Sequence, residues 1–215
     1  MSDAAATTTP RERYRQQVRA EIKERAWEQI AAAGTSALSL NKIAKGMGLS
    51  GAALYRYFTS RDELLTELVR DAYQSLVDTF RAVIGRGEGD LEGLAHALRA
   101  WALADPQRYF LVYGPPVLGY RGSADPTTAM TEIMSLVLSA CDALPTKTLR
   151  SPFALHLERS TDCLASASAS ALGLAVAFWT RLHGVLSLEL SGHFAGMGFE
   201  PALLYEAELG VLSAG

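Results

Sequence analysis

Apolar residues return every three or four positions along most of this chain, and no stretch alternates convincingly with period two. The pattern therefore predicts an all-α protein. Val18, Ile22, Ala26 and Ile30 form one stripe of a helix running from about Arg11 to Ala33, with Gly34 after its end. Leu65, Leu68, Ala72, Leu76, Phe80 and Val83 form another, over a long helix from Arg61 to about Ile84. At ~1.5 Å per residue that helix spans about 35 Å, enough to join a small N-terminal domain to a larger body. Gly85-Arg86-Gly87-Glu88-Gly89 breaks it, and Asp90 caps the next helix, whose stripe is Leu91, Leu94, Leu98 and Trp101.

Asp105-Pro106 and Asp125-Pro126 are both cap-then-proline starts, since proline at the first helical position loses no hydrogen bond. The first opens a short helix with Tyr109, Phe110 and Tyr113, stopped by Gly114-Pro115-Pro116. The second carries Met130, Ile133, Met134, Val137, Leu138, Cys141 and Leu144. Residues 145–152 turn polar and read as a loop. The Ala/Ser alternation at 165–171 reads as the start of a close-packed helix ending near Gly192, and Glu200-Pro201 opens a last short helix to about Leu209.

Residues 39–68 have a denser grammar. Ser39 can cap a short helix that buries Ile43, Ala44 and Met47, Gly48 supplies a tight turn, and Ser50 caps a second short helix. Leu54 and Phe58 are spaced to pack inward while Tyr55 and Tyr57 project from other faces. Ser60 followed by Glu63 is a capping box for the long helix, and Asp62 and Glu63 suit its positive end. The whole is a helix-turn-helix with its exit helix attached.

This block resembles the DNA-binding domain of the TetR family of bacterial one-component regulators. The resemblance runs from Ile43-Ala44 through Gly48-Leu49-Ser50 and Leu54-Tyr55-Arg56-Tyr57-Phe58 to Arg61 and Leu64-Leu65. It implies that Tyr55 and Tyr57 bond phosphates through their hydroxyls and that Ser39 meets phosphate through its hydroxyl or the adjacent amides. Lys42 adds charge there or simply lies on a solvated face. Arg61 stands where the family usually has lysine, keeping the charge and changing the geometry. Ser50, Gly51, Ala52 and Ala53 form the start of the reading helix. Asn41 is the side chain suited to a bidentate contact with adenine, and the alanine methyls can touch thymine methyls. So little hydrogen-bonding capacity implies dependence on phosphate contacts and DNA shape.

Charge divides the chain in the same place. Residues 1–61 hold ten Lys and Arg against five Asp and Glu, whereas the remainder holds ten against eighteen, so a net charge of −3 conceals a basic head on an acidic body. Such a head suits a polyanion. Arg19 to Glu28 reads as a solvated face because acids and bases interleave. Arg11, Arg13 and Arg15, beside a Ser/Ala/Thr-rich start expected to be disordered, can form an arm reaching phosphates or a minor groove.

With 215 residues there is room for a sizeable core, and two cysteines, Cys141 and Cys163, give no disulfide framework. With no signal peptide recognisable, a cytoplasmic location is expected. The most apolar stretch, 171–190, contains Arg181, His183 and Glu189, so it is expected to be buried in protein rather than in a membrane. A helix apolar nearly all round must cover two faces, and a second copy of the chain covers the outer one most simply. The histidines and cysteines make no metal spacing, no cofactor-binding loop or nucleophile motif appears, and the chain does not read as an enzyme.

Phe178-Trp179 through His183-Gly184 to Leu190 is similar to the Trp-His-Gly type of TetR C-terminal domain, and Trp101 to Tyr113 to its preceding portion. The resemblance implies an apolar effector pocket in the C-terminal bundle, for which Trp101, Phe110, Tyr113, Met130, Met134, Phe178, Trp179 and His183 are the candidates, against the plainer reading of each as core. The expected organisation is a tail over 1–10, a helix-turn-helix domain over 11–60 and an effector-binding and dimerisation domain over 61–215. The expected function is a homodimeric regulator, most often a repressor in this family, that leaves a palindromic double-stranded operator when an apolar or amphipathic small molecule binds. The alternative is an architectural or protein-interaction member that binds DNA without an inducer.

Overall fold

The computed structural model describes residues 9–114, 127–144, 152–159 and 168–214. Among these are ten α-helices and no strand: α1 (Pro10–Ala33), α2 (Leu40–Gly46), α3 (Gly51–Tyr55), α4 (Arg61–Gly85), α5 (Leu91–Ala104), α6 (Pro106–Tyr113), α7 (Thr127–Asp142), α8 (Pro152–Arg159), α9 (Ala169–Leu190) and α10 (Pro201–Ala214). The described residues divide into two compact units, one ending at Arg70 within α4 and the other beginning at Asp71.

In the first unit, Thr9 and Glu12 form a capping box that starts α1, with Pro10 in its first turn. The stripe Val18, Ile22, Ala26 and Ile30 is buried together with Leu38, Leu40, Ile43, Ala44, Leu54, Phe58 and the inward residues of early α4. Gly48 adopts φ 67° between α2 and α3, a conformation that glycine enters without the steric cost of a Cβ. The Leu49 amide donates to Ala44 O (2.9 Å) and closes the end of α2.

In the second unit α9 packs against α5, α7, α8 and α10. By length and composition it is the one described helix able to cross a membrane. Here its Ala171, Gly173, Ala175, Phe178, Leu182, Val185 and Leu186 enter the protein core. Burying a Leu or Phe side chain is worth roughly 1.5–3 kcal/mol, so this face holds the bundle together. Tyr205 of α10 donates its hydroxyl to Ala95 O of α5 (2.7 Å), and Arg99 of α5 grips both carboxylate oxygens of Glu189 on α9 (2.8 and 3.0 Å).

Several local expectations need correction. Residues 11–15 are helical, so Arg11, Arg13 and Arg15 are exposed side chains on the first turns of α1 and not an extended arm. Leu40 takes the buried position on α2 while Met47 is only half-buried. The Glu63 carboxylate reaches Thr59 rather than Ser60, accepting from the Thr59 amide at 2.6 Å, although Ser60 Oγ does accept from the Glu63 amide. Helix α8 was not visible in the sequence because Phe153 and Leu155 are exposed and give no buried stripe; its packing on α9 is what the structure adds. Helix α10 continues to Ala214, a further turn beyond Leu209. The expected starts and stops at Asp125-Pro126 and Pro115-Pro116, the loop at 145–151, Cys163, the 165–167 helix start and the tail over 1–8 lie outside the described residues.

Candidate functional site

The first unit turns a polar surface outward at α2 and α3. Ser39 caps α2, its hydroxyl oxygen accepting from the Lys42 amide (3.4 Å) and leaving the hydroxyl hydrogen free to donate. Ser50 does the same for α3 through Ala53 (3.1 Å). Asn41, Lys42, Ser50, Ala52 and Tyr55 are exposed, and Ser39, Gly51, Ala53 and Tyr57 are half-buried. A Cβ built on Gly51 would stand 3.4 Å from Asn41 Oδ1, so the amide of Asn41 lies beside the first turn of α3. Leu54 and Phe58 are fully buried beneath this face and orient the tyrosines by their own packing.

Three side chains that the sequence did not single out for this purpose brace the surface. Arg19 of α1 donates to Tyr57 O, places its guanidinium 4.1 Å over the Phe58 ring and pairs with Glu67 (3.4 Å). It is thus a tertiary tie and not part of a solvated face. Gln29 Oε1 accepts the Ser39 amide (2.9 Å). Arg61, counted among the phosphate contacts from its position, turns inward: Nη2 donates to Thr35 O (2.8 Å) and Nε to Leu38 O (3.3 Å), with Asp62 at 3.7 Å. Its guanidinium is spent on the backbone just before α2. Only the chain path that puts residues 35–38 beside the start of α4 reveals this, and no sequence spacing signals it.

The second unit contains a ring cluster drawn from α4, α5, α6 and α9. Tyr113 lies in edge or tilted contact with Tyr73 (centroids 6.0 Å), Trp101 (6.4 Å), Tyr109 (5.4 Å), Trp179 (5.7 Å) and His183 (4.3 Å). Tyr109 stacks on His183 at 5.6 Å. Trp101 Nε1 donates to Ser75 Oγ (2.9 Å), and Tyr109 Oη sits 3.1 Å from His183 Nδ1 and 3.2 Å from His183 O. Burial pushes the His183 imidazole down to about 4 and the Tyr109 phenol up to about 12, and it also raises Tyr113, next to Tyr73 and Tyr109. All three groups are therefore neutral near pH 7. Two atoms of the cluster, Tyr113 Oη and His183 Nε2, are buried without a hydrogen-bond partner among the described residues.

The candidate effector residues thus divide. Trp101, Tyr113, Trp179 and His183 come together, with Phe110 at the edge of Tyr109 (5.5 Å). Phe178 is fully buried in the bundle core, and Met130 and Met134 are half-buried on α7. Tyr109, Tyr73 and Ser75 belong to the cluster and were not named for it; the Tyr109 and Tyr113 pair at a helical spacing of four was the available signal. Separately, an open groove of about 520 Å³ at the α9–α10 turn is lined by Glu189, Phe194, Phe199 and Pro201, but Glu189 is already held by Arg99. Cys141 is buried and its thiol pushed up to about 12 by that burial, so it is a protonated core group. Among the described residues no three His, Cys, Asp or Glu side chains are grouped to hold a metal.

Comparison with known proteins meets this geometry from outside. Residues 22–68 match the profile of bacterial regulatory proteins of the tetR family, and residues 91–212 match a tetracyclin repressor-like C-terminal domain. The narrower Trp-His-Gly assignment is not what the C-terminal match reports. An HTH-type transcriptional regulator of Mycobacterium tuberculosis is 32% identical over 216 residues, covering 93% of this chain and 92% of that protein, and one of Mycobacterium bovis is equally similar. The crystal structure of regulatory protein SCO4313 superposes with a TM-score of 0.88 at 60% identity, covering 96% of this chain and all of that one. The TetR family transcriptional regulator PfmR from Thermus thermophilus shares the fold alone, with a TM-score of 0.57 at 16% identity over 90% of this chain and 97% of its own.

Proposed function

Because this chain belongs to the TetR family of DNA-binding transcriptional regulators, we propose that it acts as a homodimeric repressor, released from a palindromic operator when a small molecule enters the ring cluster of its second unit. The observation that supports DNA recognition is the α2–α3 face, where free hydroxyls, Asn41 and Lys42 stand on a fully buried apolar base. Helix α3 enters the major groove while Ser39, Tyr55 and Tyr57 meet phosphates on either side. With Gly51, Ala52 and Ala53 at the start of α3, sequence is read mainly through DNA shape and through Asn41.

Dimerisation is supported by exposed apolar side chains on α9 and α10, notably Leu188, Leu203 and Val211. A two-fold pair places two α3 helices about one DNA turn apart, roughly 34–36 Å. The effector binds one arrangement of the dimer more tightly than the other, since equal affinity would shift nothing. The protein works in the cytoplasm, where its DNA is.

The test is binding of the full-length protein to the intergenic DNA upstream of its own gene, with unrelated DNA as competitor, across a salt series. The expected result is competitor-resistant binding with a two-fold footprint and a steep salt slope. Binding no tighter than to unrelated DNA, at every site tried by genomic selection, would remove the repressor reading.

A further inference from the structure

A buried hydroxyl or ring nitrogen without a partner is expensive, and native proteins leave few of them. Among the described residues two occur together, Tyr113 Oη and His183 Nε2, on rings whose centroids are 4.3 Å apart. The His183 and Tyr113 side chains are half-buried, and it is these two atoms that are enclosed. The other nitrogen of His183 faces Tyr109 Oη, which has a single proton to share between His183 Nδ1 and His183 O. If Tyr109 donates to the carbonyl, Nδ1 carries the proton and Nε2 is a bare acceptor; if it donates to Nδ1, Nε2 is a bare donor. Nε2 is orphaned either way. Both atoms are shut off from the protein surface, so in this packing bulk solvent does not satisfy them.

We propose that the ring cluster takes an uncharged, flat aromatic molecule bearing a hydroxyl or carbonyl, whose polar group hydrogen-bonds Tyr113 Oη and His183 Nε2 while its ring replaces part of the aromatic packing. This rests on the effector reading above and specifies its chemistry. The aromatic character follows from the side chains the molecule would lie among, the rings of Trp101, Tyr109, Tyr113 and Trp179, which meet edge to face. The lack of charge follows from the neighbours. Among the described residues the hydrogen bonds of the cluster run to Ser75 Oγ, His183 Nδ1 and His183 O, all neutral. Burial is the sole cause that lowers His183, and no cation or carboxylate contributes to the shift of Tyr113. A carboxylate or ammonium entering here would find no counter-charge and lose its hydration. A hydroxyl can donate to one orphan and accept from the other, which a bare hydrocarbon cannot do. Tyr109 sets the His183 tautomer and so acts as a positioning residue.

The experiment compares 2-naphthol, naphthalene and 2-naphthoate on the full-length protein, read by calorimetry, together with thermal denaturation of Tyr113→Phe without ligand. Naphthol is expected to bind at least about tenfold tighter than naphthalene, as one or two net hydrogen bonds require, with naphthoate the weakest. Tyr113→Phe is expected to raise the apo melting temperature, because it removes an unsatisfied hydroxyl, and to narrow the advantage of naphthol over naphthalene to what the remaining bond to His183 Nε2 supplies. A lower melting temperature in Tyr113→Phe would mean the hydroxyl is bonded inside the protein, and the proposal fails. It fails equally if naphthalene matches naphthol, if naphthoate binds best or if none of the three binds; these comparisons on the native chain hold even if the variant does not fold. Site-specific DNA binding, measured on the same preparations, separates the two ideas. If it is present without a naphthol preference, only this inference falls; if it is absent, the repressor reading falls by itself.

Discussion

Replacing Arg61 by lysine tests whether this residue holds DNA or holds the protein. Its guanidinium donates to Thr35 O at 2.8 Å and to Leu38 O at 3.3 Å, with the side chain 30% exposed. Bonds from a charged donor contribute about 1.5–3 kcal/mol when buried, and partial exposure brings this pair to about 2 kcal/mol in all. An ammonium keeps the charge but lacks the planar fork that spans two carbonyls, so Arg61→Lys is expected to lose about half of that and Arg61→Gln nearly all. The loosened segment is the one that leads into Ser39 and the first amides of α2, so operator affinity falls with it. The salt dependence tells the two roles apart. Each phosphate contact contributes about 0.9 to the slope of log K against log salt, so deleting one per subunit from a dimer lowers the slope by about 1.8. As a brace, Arg61 gives weaker binding at an unchanged slope in both variants, accompanied by a lower denaturation midpoint for the first unit. If Arg61→Lys instead binds like the native protein while Arg61→Gln loses slope and keeps its stability, the guanidinium meets phosphate and the inward geometry is irrelevant on DNA.

Removing the hydroxyl in Tyr55→Phe or Tyr57→Phe is expected to weaken operator binding by about 1 kcal/mol each, roughly fivefold, with the melting temperature unmoved; quantitative footprinting against a stability control checks it. His183 titrates near 6.5 when unfolded and about 4 when folded, so the stability it contributes is complete above pH 6.5 and is lost as pH falls toward 4. That share is about 3 kcal/mol, and urea unfolding across this window should be correspondingly flatter in His183→Gln. Leu203 on α10 is 66% exposed, and Leu203→Glu is expected to shift the protein to monomers in sedimentation, whereas a dimer of native strength would place the interface elsewhere. Phe178→Ala removes a fully buried ring from α9 and should cost about 3–5 kcal/mol in denaturant titration, with a smaller loss showing that the bundle relaxes into the space.

What the sequence determined by itself is whatever depends on neighbours along the chain. The stripes of α1, α4 and α5 were readable because one buried face repeats every three or four residues, and Asp90 and Asp105 were readable as caps because a cap acts over three residues. The helix-turn-helix was readable for the same reason: Ser39, Gly48 and Ser50 carry their meaning locally. Helix α8 escaped because exposed Phe153 and Leu155 leave no stripe, and the true partner of Glu63 escaped because Thr59 and Ser60 are equally plausible in sequence. The tertiary structure decided everything that joins distant positions. It turned Arg61 inward onto Thr35 and Leu38 and carried Arg19 across to Tyr57 and Phe58. It also set Tyr113 against His183 and left both with an atom unpaired among the described residues. A hydrogen bond is directional and reaches about 3 Å, so its partner depends on how helices pack, which a periodicity along the chain does not encode.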